Sequence, residues 1–207
     1  MRSMVFCGYE TIYMLPVQCQ VIISMTNVVF VLGGPGSGKS TICARIEKHF
    51  KGWKHICVSD LLRAAANEPG NKYSRTIQYH FANGSIIPSA ITIQLILREM
   101  DKFPCVTFLL DGFPRNLDNL QKWDTRLCVL FSLYFECDDG TLLQRMRVRN
   151  RCGEDEALIQ QRLRTFHIHT MPVVNSMFVQ SNCKTISAAR SEDEVWDSVV
   201  GVFMTSL

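Results

Sequence analysis

The sequence has no long hydrophobic run, little net charge and no paired cysteine motif. No stretch approaches the ~18 uninterrupted apolar residues of a transmembrane helix, so we predict no membrane partner. The formal net charge of +3, from 22 Lys and Arg against 19 Asp and Glu, is too small to indicate a nucleic-acid-binding surface. The nine cysteines include no C-x-x-C pair and no histidine spacing typical of zinc. They are therefore predicted to be reduced thiols in a cytoplasmic protein.

The first 27 residues differ in composition from the rest of the chain. Arg2 and Glu10 are their only charged residues, which is unlike an arginine-rich transit peptide. We assign residues 1–27 to an N-terminal extension, with an organellar leader, a disordered tail and an over-long start as the alternatives. Residues 28–207 are assigned to a single domain, which suits the length of the chain.

From residue 28 onward, apolar β-rich runs alternate with segments long enough for helices. These runs lie at residues 28–32, 56–58, 106–110, 129–135 and 184–187. A continuous apolar run such as Thr107–Leu110 is typical of a strand buried on both faces. The pattern predicts an α/β fold with about five parallel strands flanked by helices.

A glycine-rich loop follows the first of these runs. Gly33–Ser40 fits G-x-x-x-x-G-K-[ST], and it stands between a predicted strand and a predicted helix. In this motif backbone N–H groups surround phosphates, Lys39 reaches the β- and γ-phosphates, and the Ser40 hydroxyl contacts Mg²⁺. The predicted ATP-binding residues here are Gly33, Gly34, Pro35, Gly36, Ser37, Gly38, Lys39, Ser40 and Thr41. The loop alone leaves a GTPase switch, an ATPase and a kinase open, although the sequence lacks the N-K-x-D guanine motif.

A second motif narrows these classes. An apolar run ends in the string Asp111-Gly112-Phe113-Pro114-Arg115. At this position Asp111 can hold magnesium-bound water beside the phosphates that Lys39 binds. This string resembles the signature of the adenylate kinase family of nucleoside monophosphate kinases, and the resemblance extends over residues 28–203. It implies a P-loop kinase fold with a monophosphate-binding flap at about 59–88 and a short lid at about 149–156.

The resemblance also implies roles for other side chains. Arginines that stabilise the transferring phosphoryl group, together with Lys39, are expected at Arg115, Arg145, Arg151 and Arg162. Arg149 and Arg190 are expected on the ATP side. The expected monophosphate-binding residues are Ser59, Arg63, Ile86, Ile87, Gly112, Arg115, Asn119, Arg151 and Arg162. Asp60 is expected to join Asp111 in holding Mg²⁺ through water.

Three departures from the family pattern limit this transfer. Ser40 stands where a Gly usually follows the loop lysine, and Ser59-Asp60 replaces Gly-Asp. The segment between Arg149 and Arg151 is shorter than in the family. A weakened nucleotide-binding protein with the same fold is therefore an alternative to an enzyme.

The acceptor is predicted from Asn119. The branch of the family that phosphorylates UMP and CMP usually has Asn here, and enzymes that use AMP usually have Gln. An amide both donates and accepts hydrogen bonds, so by flipping it can face uracil or cytosine. We predict a monomer that phosphorylates UMP and CMP with ATP, with dCMP as a further acceptor and AMP as the alternative.

Overall fold

The computed structural model of the chain describes residues 26–104, 106–123, 127–149, 154–180 and 182–206. Within them the strands are β1 (Thr26–Gly33), β2 (Trp53–Cys57), β3 (Thr107–Asp111), β4 (Leu127–Glu136) and β5 (Cys183–Ser187). They form one sheet in the order β2-β3-β1-β4-β5, and every neighbouring pair is parallel. The predicted parallel α/β fold is confirmed.

Helices connect consecutive strands and cover both faces of the sheet. They are α1 (Lys39–His49), α2 (Val58–Asn67), α3 (Ser74–Ala82), α4 (Ser89–Met100), α5 (Leu117–Gln121), α6 (Asp139–Arg149), α7 (Glu156–Thr165), α8 (Met171–Val179) and α9 (Glu192–Ser206). A π-helical segment, Phe166–Thr170, joins α7 to α8. None of these helices is both long and apolar enough to cross a membrane.

The apolar run of β1 serves two cores, one on each face of the sheet. Successive side chains of a strand point to opposite faces. Phe30 therefore joins the core formed with α2, α4 and α8, while Val29 and Val31 join the core formed with α1 and α9. All three are at most 1% exposed. Burial on both faces explains why the strand is continuously apolar rather than alternating.

The strand order places the functional loops at one edge of the sheet. β1 is hydrogen-bonded to β3, and Val31 pairs with Asp111 in the register. Because the strands are parallel, the loop after β1 and the loop after β3 leave the sheet side by side. Residues that are far apart in the sequence thus converge at the carboxyl ends of these two strands.

The structure changes one predicted boundary. Thr26 and Asn27, which we placed in the N-terminal extension, pair with Leu127 and Cys128 in the sheet. The boundary at 27 is therefore too late by two residues, because backbone pairing with β4 continues beyond the apolar run. Residues 1–25 lie outside the described residues. The predicted flap, 59–88, contains most of α2 and all of α3. The predicted lid joins α6 to α7, and its residues 150–153 are not described.

Candidate active site

The glycine loop passes from β1 into α1 with its backbone donors open. Gly38 caps α1 with a left-handed φ of 83°, and no side chain caps the helix. The first N–H groups of α1 thus lack a capping side chain, and the helix dipole adds positive potential at the same point. Gly36 has φ 87°, and a Cβ there would lie 2.9 Å from the Leu142 carbonyl oxygen. This close approach requires glycine, and the result is a backbone surface suited to an anion.

Lys39 is held against its own loop. Its Nζ donates to the Gly33 carbonyl at 2.9 Å, to the Gly34 carbonyl at 2.8 Å and to Ser37 Oγ at 3.2 Å. Burial lowers the pKa of Lys39, and the nearby Asp111 carboxylate partly offsets this. These three partners are neutral acceptors, so a phosphate oxygen could replace them with a gain in charge pairing.

Asp111 lies at the end of β3, directly opposite the loop. Its side chain is 3% exposed, Ser40 Oγ donates to its Oδ2 at 2.5 Å, and His55 Nε2 lies 3.3 Å from the same oxygen. Burial raises the pKa of Asp111, but the His55 hydrogen bond, the Lys39 charge and the Ser40 hydrogen bond outweigh it. The pKa therefore lies below its usual value. The site holds a buried, ionised carboxylate beside a hydroxyl.

This donor set fits a hard divalent cation such as Mg²⁺. A hydroxyl and a carboxylate are the oxygen ligands that Mg²⁺ prefers, and it commonly keeps several waters. The ligand atoms of Cys43, His55 and Asp111 also lie within 4.8 Å of one another, the only such trio in the described part of the chain. Burial raises the pKa of the Cys43 thiol well above its ordinary value. Because a metal ligand needs the thiolate, Cys43 does not favour a soft metal here.

An open cavity of about 400 Å³ lies in front of these groups. Most of the predicted site residues line it, from the glycine loop, from the start of the flap, from the end of β3 and from the arginine-rich helices. They are Gly33, Pro35, Gly36, Ser37, Gly38, Lys39, Ser40, Thr41, Ser59, Arg63, Ile86, Asp111, Gly112, Arg115, Arg145, Arg149 and Arg162. The volume is in the range of small-molecule sites.

Two arginines that were predicted to bind the acceptor phosphate line the cavity from α2 and from the loop after β3. Arg115 follows β3, and its Nε donates to the Gly112 carbonyl at 3.0 Å, which fixes the direction of the guanidinium. Desolvation by the surrounding protein lowers the pKa of Arg115, the negative charge of Asp111 raises it, and the positive charge of Arg162 lowers it. A guanidinium nevertheless stays charged. Arg63 of α2 donates to Asp60 at 2.5 Å, and its Cζ lies 5.6 Å from the centre of the Phe81 ring.

Two further arginines meet a buried carboxylate on the lid side. Arg149 Nη2 lies 3.1 Å from Glu154 Oε2, and Arg162 also donates to Glu154, whose side chain is only 4% exposed. Burial lowers the pKa of Arg162, and the Glu154 charge partly offsets this. The two guanidinium groups predicted to grip phosphate thus share one carboxylate in this structure.

The structure gives Arg145 different partners from the expected ones. Its Nη1 donates to the Ala188 carbonyl at 2.8 Å, and its Nη2 lies 3.5 Å from the Arg190 carbonyl. Although Arg145 lines the cavity, its guanidinium ties α6 to the loop after β5. Arg190 contributes a backbone carbonyl here, and its own side chain is exposed.

Some predicted residues are not among those that line the cavity. Gly34 of the glycine loop packs against α6, and a Cβ there would lie 2.4 Å from a Leu142 methyl. Asp60 has a side chain 63% exposed and pairs with Arg63, and Ile87 is buried in the core. Arg190 also stays outside the lining, and Arg151 lies outside the described residues.

Asn119 is placed behind the cavity rather than in it. Its side chain is 2% exposed, its Oδ1 accepts the Arg115 backbone N–H at 2.8 Å, and its Nδ2 donates to Ser89 Oγ at 2.7 Å. The flip that we predicted would set donor against donor at Arg115 and break both hydrogen bonds. The structure therefore contradicts a freely flipping amide, while a role of Asn119 in acceptor binding stays a prediction.

The sequence reasoning missed several side chains that complete the site. Glu154 and His55 contact predicted residues, and Thr170 Oγ1 donates to the Arg115 carbonyl at 3.0 Å. Thr165 Oγ1 likewise donates to the Gly84 carbonyl at 2.8 Å, which links α7 to the turn after α3. Thr165 and Thr170 come from segments distant in sequence, so no local pattern could have identified them.

The comparisons with known proteins agree with this geometry. A sequence model described as adenylate kinase matches residues 31–182. The chain belongs to the adenylate kinase family. The match includes the whole glycine loop, the strand that ends at Asp111 and the arginine-rich helices α6 and α7, so the predicted family is confirmed.

Individual members of the family match over most of their length. The chain is 38% identical over 189 residues to a UMP-CMP kinase of Gallus gallus, which covers 85% of this chain and 96% of that protein. A UMP-CMP kinase of Homo sapiens gives the same identity and coverage. A probable UMP-CMP kinase 1 of Arabidopsis thaliana is 38% identical over 182 residues, covering 86% of this chain and 88% of that protein.

Proposed function

We propose that the chain is an ATP-dependent nucleoside monophosphate kinase that transfers the γ-phosphoryl group of ATP to UMP or CMP, giving ADP and UDP or CDP. The observation that carries this proposal is that the glycine loop, Asp111 and arginines from three helices and one loop all line the same cavity. Family membership supports the reaction class. The names of relatives that match over nearly their whole length support the pyrimidine acceptors.

The ATP side of the cavity is assigned to the glycine loop. The open N–H groups at the start of α1 and the Lys39 ammonium would bind the β- and γ-phosphates. Mg²⁺ would be held by the Ser40 hydroxyl and, through water, by Asp111. The predicted contribution of Asp60 would require its side chain to leave Arg63 and turn toward the cavity. When bound, it supplies positive charge to the phosphate oxygens. The lowered pKa of Asp111 keeps this carboxylate ionised at neutral pH.

The transfer needs no catalytic base. The acceptor phosphate, with a second pKa of about 6, is largely a dianion near neutral pH. One of its oxygens attacks the γ-phosphorus and forms a new P–O bond. The bond from the γ-phosphorus to the β,γ-bridging oxygen breaks, and its electron pair leaves with ADP. The protein aligns the two anions and stabilises the charge of the transferring group.

The arginines are assigned to that charge. Arg115 and Arg63 would bind the acceptor phosphate from β3 and α2, while Arg149, Arg151 and Arg162 would approach from the lid side. Phosphate oxygens would then replace the Glu154 carboxylate on Arg149 and Arg162. Arg145 would act at the ATP end, since it lines the cavity while bound to the loop after β5.

Water is the competing acceptor, so the site has to close. Thr165 at the end of α7, the helix that follows the predicted lid, donates to the carbonyl of Gly84 in the predicted flap. Closure over both nucleotides would exclude water, and opening for product release would then limit turnover. The predicted monomer and the cytoplasmic location remain predictions.

An acceptor panel tests the proposal. Purified chain, ATP and Mg²⁺ are combined in turn with UMP, CMP, dCMP, AMP and GMP, and ADP formation is followed in a coupled assay. We expect the highest kcat/KM with UMP or CMP and no turnover after magnesium is chelated. A preference for AMP over both pyrimidines would assign the chain to adenylate kinase activity instead. Nucleotide binding without turnover of any acceptor would indicate a weakened binding protein.

A further inference from the structure

A short chain of hydrogen bonds runs behind the acceptor side of the cavity. The Arg115 backbone N–H donates to Asn119 Oδ1, Asn119 Nδ2 donates to Ser89 Oγ, and Ser89 Oγ donates to the Asp118 carboxylate. Ser89 and Asn119 are 3% and 2% exposed, so no bulk water competes for these groups. Lys122 pairs with Asp118 at 2.9 Å on the outer side.

Both ends of this chain allow only one direction of donation. A backbone N–H can only donate, so the atom facing Arg115 must be the Asn119 oxygen. An ionised carboxylate can only accept, so the Ser89 proton must point to Asp118. The Ser89 and Lys122 hydrogen bonds also lower the pKa of Asp118, which keeps it ionised. The Ser89 oxygen is left to accept, and its partner must be the Asn119 amino group.

The two constraints agree, and they hold the Asn119 amide in one orientation. After these contacts the amide retains one N–H donor and one acceptor lone pair. Cytosine presents an acceptor at N3 and a donor at N4, whereas uracil presents a donor at N3 and an acceptor at O4. The order of donor and acceptor is thus reversed between the two bases. A fixed amide can match both groups of only one base in a given pose.

We propose that Ser89 and Asp118 are positioning residues that fix the Asn119 amide and thereby set the ratio of activity with CMP to activity with UMP. This inference rests on the proposed function and on the predicted contact of Asn119 with the acceptor base. It makes the orientation of one buried amide, rather than its identity alone, the determinant of acceptor preference. Ser89 and Asp118 act through Asn119 and touch no substrate themselves.

Asp118→Asn is the first test, because it keeps the shape of the side chain and the side chain is partly exposed. The new amide can donate to Ser89, so the Ser89 hydroxyl is free to reverse and to donate to Asn119. Of the two constraints on the Asn119 amide, only the Arg115 N–H then remains, and the preference for one orientation is weaker. We expect the ratio of kcat/KM for CMP to that for UMP to move toward one by at least ~3-fold, since mismatched polar groups discriminate between ligands. The change should appear in the acceptor KM, with the ATP KM within ~2-fold of wild type.

Three further variants make the test decisive. Ser89→Ala should change the ratio in the same direction, and Ser89→Thr, which keeps the hydroxyl, should restore it. Lys122→Ala removes the outer ion pair but keeps the contact of Asp118 with Ser89, so its ratio should equal that of wild type. An unchanged ratio in both Asp118→Asn and Ser89→Ala would overturn the proposal. So would a parallel loss with every acceptor and a raised ATP KM, which would indicate a structural role only.

The wild-type chain separates this proposal from the proposed function. If wild type phosphorylates neither UMP nor CMP, the proposed function itself is wrong, and the positioning role falls with it. If wild type phosphorylates them and the variants leave the ratio unchanged, only the positioning role is wrong. Melting temperatures of all four variants, measured in parallel, identify any ratio change that follows unfolding.

Discussion

Replacing Arg115 with Ala should remove one donor to the transition state while leaving the fold intact. The guanidinium faces the cavity, and within the described part of the chain its one side-chain hydrogen bond runs from Nε to the Gly112 carbonyl. Arg63 and Arg162 lie close enough to influence its pKa, so two positive charges remain after the substitution. The loss should therefore be that of one oxyanion donor, about 10²–10³ in kcat, or about 3–4 kcal/mol.

The assay compares wild type, Arg115→Ala and Arg115→Lys with the preferred acceptor at saturating ATP. Lys keeps the charge but loses the planar, bidentate geometry, so Arg115→Lys should lie between the other two. The ATP KM should stay within ~2-fold of wild type, because Arg115 is assigned to the acceptor side. If Arg115→Ala kept wild-type kcat with every monophosphate tried, the assigned role would be wrong.

Three other predictions concern stability and the domain boundary. Gly33→Ala should lower the free energy of unfolding by about 1–3 kcal/mol in denaturant titrations, since Gly33 has φ 146° and a Cβ would lie 2.7 Å from the Phe135 carbonyl oxygen. The matched control Gly201→Ala has open space around its Cβ and should be neutral or stabilising. The hydrogen bond from Arg147 lowers the pKa of Glu156 to about 2. The stabilisation from this exposed pair should be present above pH ~4.5, the usual Glu pKa, and should disappear as the pH falls through about 2. The Tm difference between wild type and Glu156→Gln should shrink accordingly, and a difference that persisted unchanged at pH 2 would contradict this. A chain starting at Met25 should keep its kcat, because the described sheet starts at Thr26 and residues 1–24 carry no motif residue; an insoluble or inactive product would show that those residues support the core.

The sequence by itself determined the local features of the molecule. Gly33–Ser40 forms its loop because the glycines, the preceding apolar run and the following helix are contiguous. The five strands were found within a few residues, because strands buried on both faces are continuously apolar. The family also followed from contiguous strings, of which the one ending at Arg115 was the most specific. Contiguous patterns carry this information because the interactions behind them span a few residues.

Only the tertiary structure decided which distant groups meet. Ser40 reaches Asp111 across 71 residues because β1 lies beside β3 in the sheet. Nothing in the local pattern of either strand specifies that the two are neighbours. Glu154 lies between Arg149 and Arg162 because α6 and α7 pack together, although the sequence reads it only as a lid residue. Asn119 was expected to turn freely toward the base, but the backbone of Arg115 and the side chain of Ser89 hold it in one orientation. The orientation of a buried polar group depends on every donor and acceptor that the fold places around it, so it can be read only after the fold is known.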